Sequence, residues 1–308
     1  MSLYPNAIQR RRIVVTGTDG QVGSALLKAS AGAPYSILPM RRADLDLARP
    51  DGIAAVLDRV LPDAVVNCAA YTAVDRAEAE AEAAFAVNAG GPAALAAWCG
   101  AHGRPLIHLS TDYVFGGDGR RPYREDDPIA PLNLYGASKA EGERQVRQAC
   151  DRHVILRTAW VYAANGSNFV RTMLRLGAQR DSLDIVADQR GCPTAAGNIA
   201  RAILAVLGRL TDGEADAVAG TYHYVDGGET TWFDFADRIF AVAAARWGRR
   251  PSVRPITTEQ YPTPARRPRY SVLDTARFQA TFRLAPPPWQ ASLDAVVEEI
   301  LAGPAGQG

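Results

Sequence analysis

A chain of 308 residues suits one large domain or two of ordinary size, and its 47% apolar and 22% charged fractions are those of a folded globular protein. A formal net charge of +1 gives no field to recruit nucleic acid or an anionic membrane, and no apolar run approaches the roughly 20 residues of a membrane span. Four scattered cysteines without a C-x-x-C pair, and four histidines without ligand spacing, argue against a zinc site or a disulfide scaffold; no metal is expected, and a reducing cytoplasmic location fits.

The opening MSLYPNAIQRRR lacks the apolar stretch of a secretion signal, and Met1-Ser2-Leu3 reads as an expression scar. RRIVVTG is a β-branched run closing on glycine, which predicts a buried strand, and GQVGSALLKAS after it has helical spacing. YSILPM predicts a second strand and DAVVNCAA a third. Alanine-rich RAEAEAEAAFAV and AALAAWCGAH are helical by propensity. PLIHLST is a fourth strand, LYGASKAEGERQVRQA a charged helix, and HVILRTAWVY a fifth strand. Strand, helix, strand at this rhythm predicts parallel strands joined by right-handed crossovers. Near-continuous apolar strands suit a sheet covered on both faces. The fold class is therefore α/β: a Rossmann-type doubly wound parallel sheet over residues 11–165, with a smaller C-terminal substrate-binding lobe.

Beyond residue 165 the rhythm loosens. TWFDFADRIFAVAAARW is an amphipathic helix, and ITTEQYPTPARRPRYS (256–271) is rich in proline and arginine without periodicity. That composition predicts an arm over a site rather than a connector. Residues 166–192 and 227–308 are assigned mainly to the substrate lobe, with parts of 193–226 rejoining the first domain. Ligands of open α/β sheets bind beyond the carboxyl ends of the strands, so a second lobe above that edge closes a cleft.

Gly17-x-x-Gly20-x-x-Gly23 stands between the first strand and the first helix. Gly17 permits the tight turn, Gly20 admits a pyrophosphate and Gly23 lets helix and strand touch; the helix N-terminus supplies free N–H groups. This predicts a bound dinucleotide. At the end of the second strand, where readers of NAD usually carry a carboxylate, stand Arg41 and Arg42. Two guanidinium groups suit a 2′-phosphate, although they also read as a solvated pair. NADPH is expected, with NADH possible. Asp46 caps the next turn or contacts adenine.

Tyr135 and Lys139 lie four residues apart in LYGASKAEGE, on one helix face. A nearby ammonium is expected to depress the phenol and fit it for proton transfer. STDYVFGG ends the fourth strand; Thr111 is expected to bond a substrate carbonyl and orient Tyr135, with Asp112 and Tyr113 facing the occupant of the cleft.

With the glycine turn, the hydroxyl strand and Y-x-x-x-K in place, the chain resembles the extended short-chain dehydrogenase/reductases. VVNCAAYTAVDRAE, STDYVFGG, YGASKAEGE, RTAWVY, DQRGCPT and PTPARRPRYSVLDT are similar to the dTDP-4-dehydrorhamnose reductases, a resemblance spanning about residues 11–295. It implies NADPH-dependent reduction of the C4 ketone of dTDP-4-dehydro-L-rhamnose, the last step of dTDP-L-rhamnose synthesis. It implies Thr111, Tyr135 and Lys139 as the catalytic trio, Gly20, Gln21 and Val22 at the pyrophosphate, and Asp46 with Leu47 near adenine. Ala70, Tyr71 and Thr72 would meet the nicotinamide half, and Thr111, Asp112 and Trp160 the sugar. Arg266 and Arg267 read equally as a diphosphate clamp or as solvated charges.

Two departures stand out: Cys68 where alanine is usual, and Gly117 where Asp-Gly is common. Some family members dimerise through a metal on acidic residues near the C-terminus; here Asp294, Glu298 and Glu299 read first as a solvated helix face, leaving a monomer or a homodimer. Asn88 either orients Lys139 through water or caps a helix, Gln189 and Arg190 shape the mouth of the site, and His108 reads as core. The alternatives are a reductase or epimerase of another 4-keto nucleotide sugar, and a non-catalytic subunit resembling the regulatory subunit of methionine adenosyltransferase, against which the complete trio argues.

Overall fold

Short runs of alternating apolar residues build the centre of the molecule. The structure, a computed structural model, describes residues 10–303; Met1-Ser2-Leu3 lies outside the described residues. Strands β1 (Arg11–Thr16), β2 (Tyr35–Met40), β3 (Ala64–Asn67), β4 (Leu106–Thr111), β5 (His153–Thr158) and β6 (Gly220–His223) form one all-parallel sheet in the order β2-β1-β3-β4-β5-β6. Along β1, Ile13 and Val15 enter the core on one face and Val14 the core on the other; Ala64 and Val66 alternate with Val65 on β3 in the same way. Helices α1 (Gln21–Ala29) and α2 (Ala196–Arg209) cover the first face, and the helices Ile53–Val60, Gly91–Ala101 and Leu134–Ala149 cover the second. This is the doubly wound Rossmann-type α/β fold.

The order in which strands are added reverses between β1 and β3, since β2 lies outside β1 on one side and β3 opens the other. The crevice at that switch point, beyond the carboxyl ends of the strands, is where such sheets hold ligands. A second core, built from Tyr162, Val170, Leu174, Phe235, Phe240, Trp289, Leu293 and other residues, lies above that edge. Among the described residues, no helix is long and apolar enough to cross a membrane.

Two segments depart from the linear reading. HVILRTAWVY is not one strand: β5 stops at Thr158, Trp160 takes a left-handed φ of 43°, and Val161–Tyr162 pairs instead with Thr194–Ala195. The chain uses that bend to leave the sheet for the second core. The alanine-rich stretch is also broken. Its helix runs Ala81–Phe85, widens into a five-residue π turn at Ala86–Gly90, and then continues as Gly91–Ala101. Single π turns inside helices collect at functional sites because they re-aim a side chain; here the buried Asn88 is re-aimed.

Candidate active site

The glycine turn is held by close approach. Gly17 has φ 68°, and a Cβ there would lie 2.6 Å from the Ala69 nitrogen. A Cβ on Gly23 would lie 2.2 Å from the Gly17 carbonyl oxygen, so Gly23 packs helix against turn. Gly20 caps α1 without a side-chain hydrogen bond and gives its own N–H to the Gly17 carbonyl, and no acidic residue occupies the first turn, so the N–H groups of that turn remain available to an anion. A cleft of about 590 Å³ opens above this turn. Its lining includes Gly17, Gly20, Gln21, Val22, Arg42, Asp46, Leu47, Ala70, Tyr71, Thr72, Tyr135 and Lys139. A glycine cradle with free amides at one end and a phenol and an amine at the other fits an extended dinucleotide.

The two arginines diverge. Arg42 lines the cleft, 3.5 Å from the Asp46 carboxylate, whereas Arg41 lies outside that lining with its Nε 3.3 Å from Asp19. Asp46 accepts a hydrogen bond from the Ala48 nitrogen and so also caps its own turn.

At the other end stand the hydroxyls of Ser110 and Thr111, the last two residues of β4. Thr111 adjoins the Tyr135 phenol, donates to Asp112 Oδ1 at 3.1 Å and accepts from the Tyr113 nitrogen. Asp112 is buried, with no hydrogen-bond partner for Oδ2 among the described residues; burial pushes its carboxyl up to about 6, opposed by the nearby Ser271 and Thr111 hydroxyls. The expected depression of Tyr135 is not what the site produces. Burial pushes the phenol up to about 12, the adjoining Thr111 hydroxyl opposes this, and the Asp112 charge adds to it. The Lys139 ammonium does not reverse the shift because it turns toward the strand. Its Nζ donates to the Leu109 carbonyl at 2.6 Å and lies 3.5 Å from His108 Nε2. Burial also brings Lys139 down to about 8, with Glu143 and Cys68 opposing.

His108 is fully buried, but it meets the amine of Lys139. Asn67 Oδ1 accepts from the Thr16 hydroxyl and the Ala69 nitrogen, so its amide donates to His108 Nδ1 at 3.0 Å. That leaves the ring proton on Nε2, and burial with the Lys139 charge holds the imidazole neutral, well below its usual range. Asn88 does not cap the helix that follows. Its Oδ1 accepts from the Tyr71 nitrogen at 2.8 Å, and its amide donates to the Tyr71 carbonyl and to Ser138, so it clamps the backbone of a cleft-lining residue.

The family model described as the RmlD substrate binding domain matches residues 11–302. The chain is 43% identical to the dTDP-4-dehydrorhamnose reductase of Sinorhizobium fredii, over 94% of this chain and 98% of that protein. The chain belongs to the dTDP-4-dehydrorhamnose reductase family. A crystal structure of the Bacillus anthracis dTDP-4-dehydrorhamnose reductase in complex with NADP superimposes with a TM-score of 0.87 at 35% identity, covering 94% of this chain and 100% of that one. A relative from Streptomyces antibioticus, named a probable dTDP-4,6-dihydroxy-2-methyloxan-3-one 4-ketoreductase, is 41% identical over 94% of this chain and 96% of its own length.

In this member of the reductase family, the residues on the second-core side are arranged unevenly. Trp160 stacks face to face on Trp232, ring centres 3.5 Å apart and planes 6° from parallel. Trp232, at the start of the amphipathic helix, was not singled out by the sequence reading; a tryptophan at a helix start carries no pairing signal. Arg266 is exposed and supplies only its carbonyl to Asn133. Arg267 is held by both carboxylate oxygens of Asp75, at 3.0 and 2.8 Å, so it is a strut of the arm. Asp294 is engaged by Arg238, and Glu299 reaches Lys28. Also missed was Glu143, which continues the four-residue spacing of Tyr135 and Lys139 and is buried against Arg157.

Proposed function

We propose that this chain reduces the C4 ketone of dTDP-4-dehydro-L-rhamnose to dTDP-L-rhamnose with NADPH, completing dTDP-rhamnose synthesis. The observation carrying this reading is one cleft that joins a glycine cradle with free amides to the Tyr135 phenol and the Lys139 amine, with Thr111 adjoining that phenol, in a member of this reductase family. Residues 11–165 with parts of 193–226 hold the cofactor, and 166–192 with 227–308 serve mainly to receive the nucleotide sugar. Gly20, Gln21 and Val22 meet the pyrophosphate, Arg42 the 2′-phosphate, Asp46 and Leu47 the adenine side, and Ala70 to Thr72 the nicotinamide side. NADPH, when bound, supplies the hydride.

Thr111 positions the ketone, and Tyr135 gives the proton to the developing alkoxide. A phenol held up at about 12 is fully protonated at neutral pH, which is the form a donor needs. Lys139 remains largely cationic near neutral pH and holds the ribose. Asp112, Trp160 and Arg266 are assigned to the sugar nucleotide. The enzyme acts as a monomer or homodimer in the cytoplasm on a free nucleotide sugar.

Purified protein mixed with NADPH and dTDP-4-dehydro-L-rhamnose should lose the reduced-nicotinamide absorbance band and yield dTDP-L-rhamnose. No loss of absorbance would overturn the reading. The Streptomyces antibioticus relative, at 41% identity, supports a second reading in which another dTDP-linked 4-keto sugar is reduced; the same assay with such a ketone separates the two.

A further inference from the structure

Trp160 combines two properties that rarely coexist. It is a bulky residue with φ 43°, a left-handed conformation that costs free energy for any side chain with a Cβ. It is also only half-buried, at the boundary of two hydrophobic clusters and between Thr158 and Val161, which line the cleft. Strain of this kind persists only where the surroundings over-determine it. The surroundings here form a slot. One wall is Trp232, parallel to the indole at 3.5 Å. The other is Gly191, where a Cβ would lie 2.5 Å from Trp160 Cε2, so no side chain larger than hydrogen fits. The Trp232 wall is itself fixed. Its Nε1 donates to Gln189 Oε1 at 3.2 Å, Gln189 donates on to Thr258 Oγ1 at 3.0 Å, and Phe169 packs at 4.6 Å. Behind the slot, the Trp160 carbonyl accepts from the Thr194 nitrogen, tying the bent backbone to the second core.

We infer that Gly191 and Trp232 are positioning residues for substrate: they hold Trp160 in one strained orientation so that its indole meets the nucleotide sugar without first having to be ordered. This rests on the reading of Trp160 as a sugar-side contact. It also gives a physical role to Gln189 and Gly191 of DQRGCPT, as the brace and the wall of a tryptophan slot. Preorganising a contact residue raises affinity by removing an ordering cost from the binding step, so the effect falls on the substrate and not on the cofactor.

The test is a double-mutant cycle read in KM, kcat and NADPH affinity. Trp232→Ala and Gly191→Ala should each raise KM for the nucleotide sugar about tenfold, as expected for loss of one stacked aromatic contact. kcat should change far less, and the NADPH Kd, read by fluorescence titration, should not change. Trp232→Phe, which keeps a stacking face, should recover most of the KM. In a Trp160→Ala background, both substitutions should lose their effect on KM, because they act through that indole. Additive effects in that background would overturn the inference, as would parallel losses in KM, kcat and NADPH affinity tracking the fall in Tm. Should Trp160→Ala itself leave KM unchanged, the assignment of Trp160 to the sugar fails instead, which separates the two outcomes.

Discussion

The Ser110 hydroxyl donates to the Glu143 carboxylate at 2.6 Å, and Arg157 grips the same carboxylate through two nitrogens at 2.8 and 2.7 Å. This explains why a buried strand ends in two hydroxyls. Ser110 meets the middle of the helix Leu134–Ala149 at Glu143, while Thr111, the last residue of the strand, adjoins Tyr135 at the start of the same helix. Glu143 stands one turn beyond Lys139 on that helix, Leu134–Ala149. The ion pair therefore ties the helix carrying Tyr135 and Lys139 to β4 and β5.

Glu143→Gln should destabilise the protein by about 3–5 kcal/mol, the usual penalty for leaving one partner of a buried ion pair uncompensated. Arg157 is 1% exposed, and Arg147 approaches the same carboxylate at 3.1 Å, so two guanidinium groups would lose their counter-charge. Chemical denaturation of the two proteins decides it. An unchanged midpoint would show that Ser110 and the arginines find other partners.

Tyr135→Phe should lower kcat by roughly 10²–10⁴, the range for loss of a general acid. The ring and its edge-on contact with Tyr113, at 5.6 Å, would remain, so NADPH affinity should survive. Steady-state rates beside a cofactor titration check both halves. Near-normal turnover in this variant, with activity abolished in Asp112→Asn, would move the acid to the carboxylate.

Asp112→Asn should stabilise the ligand-free protein above about pH 6. The carboxyl is held up at about 6 by burial, so ionising it works against the fold. A group with a raised folded pKa contributes stability that is present below its unfolded pKa and lost as pH rises through the folded one. The gain in the variant should approach about 3 kcal/mol at neutral pH and fall away toward pH 4. Tm measured across that range tests the sign. A variant less stable at neutral pH would mean the ionised carboxylate has partners that offset its burial.

Arg42→Ala should weaken NADPH by about 10–100-fold and leave NADH nearly unchanged, as expected for one charge-assisted phosphate contact. Arg41→Ala should do less, because Arg42 lines the cleft and Arg41 leans to Asp19. Titrating both variants with both cofactors gives the comparison. Equal weakening of NADH would remove Arg42 from the 2′-phosphate.

The sequence by itself determined the sheet and its cofactor turn. Parallel pairing with right-handed crossovers follows from alternating strands and helices, because a parallel crossover has one favoured hand. Three glycines at a strand-helix junction specify close backbone approach, which is a local property. Y-x-x-x-K put two side chains on one helix face for the same reason. Tertiary structure decided what is non-local. Whether Lys139 polarises Tyr135 depends on where its amine finds an acceptor, and that acceptor is the Leu109 carbonyl on another strand. The phenol rises because burial, which spacing cannot report, outweighs nearby charge. Asn88 serves Tyr71 because a π turn re-aims it. The stacking of Trp160 on Trp232, seventy-two positions apart, exists only because a left-handed bend and a glycine bring two remote segments into contact.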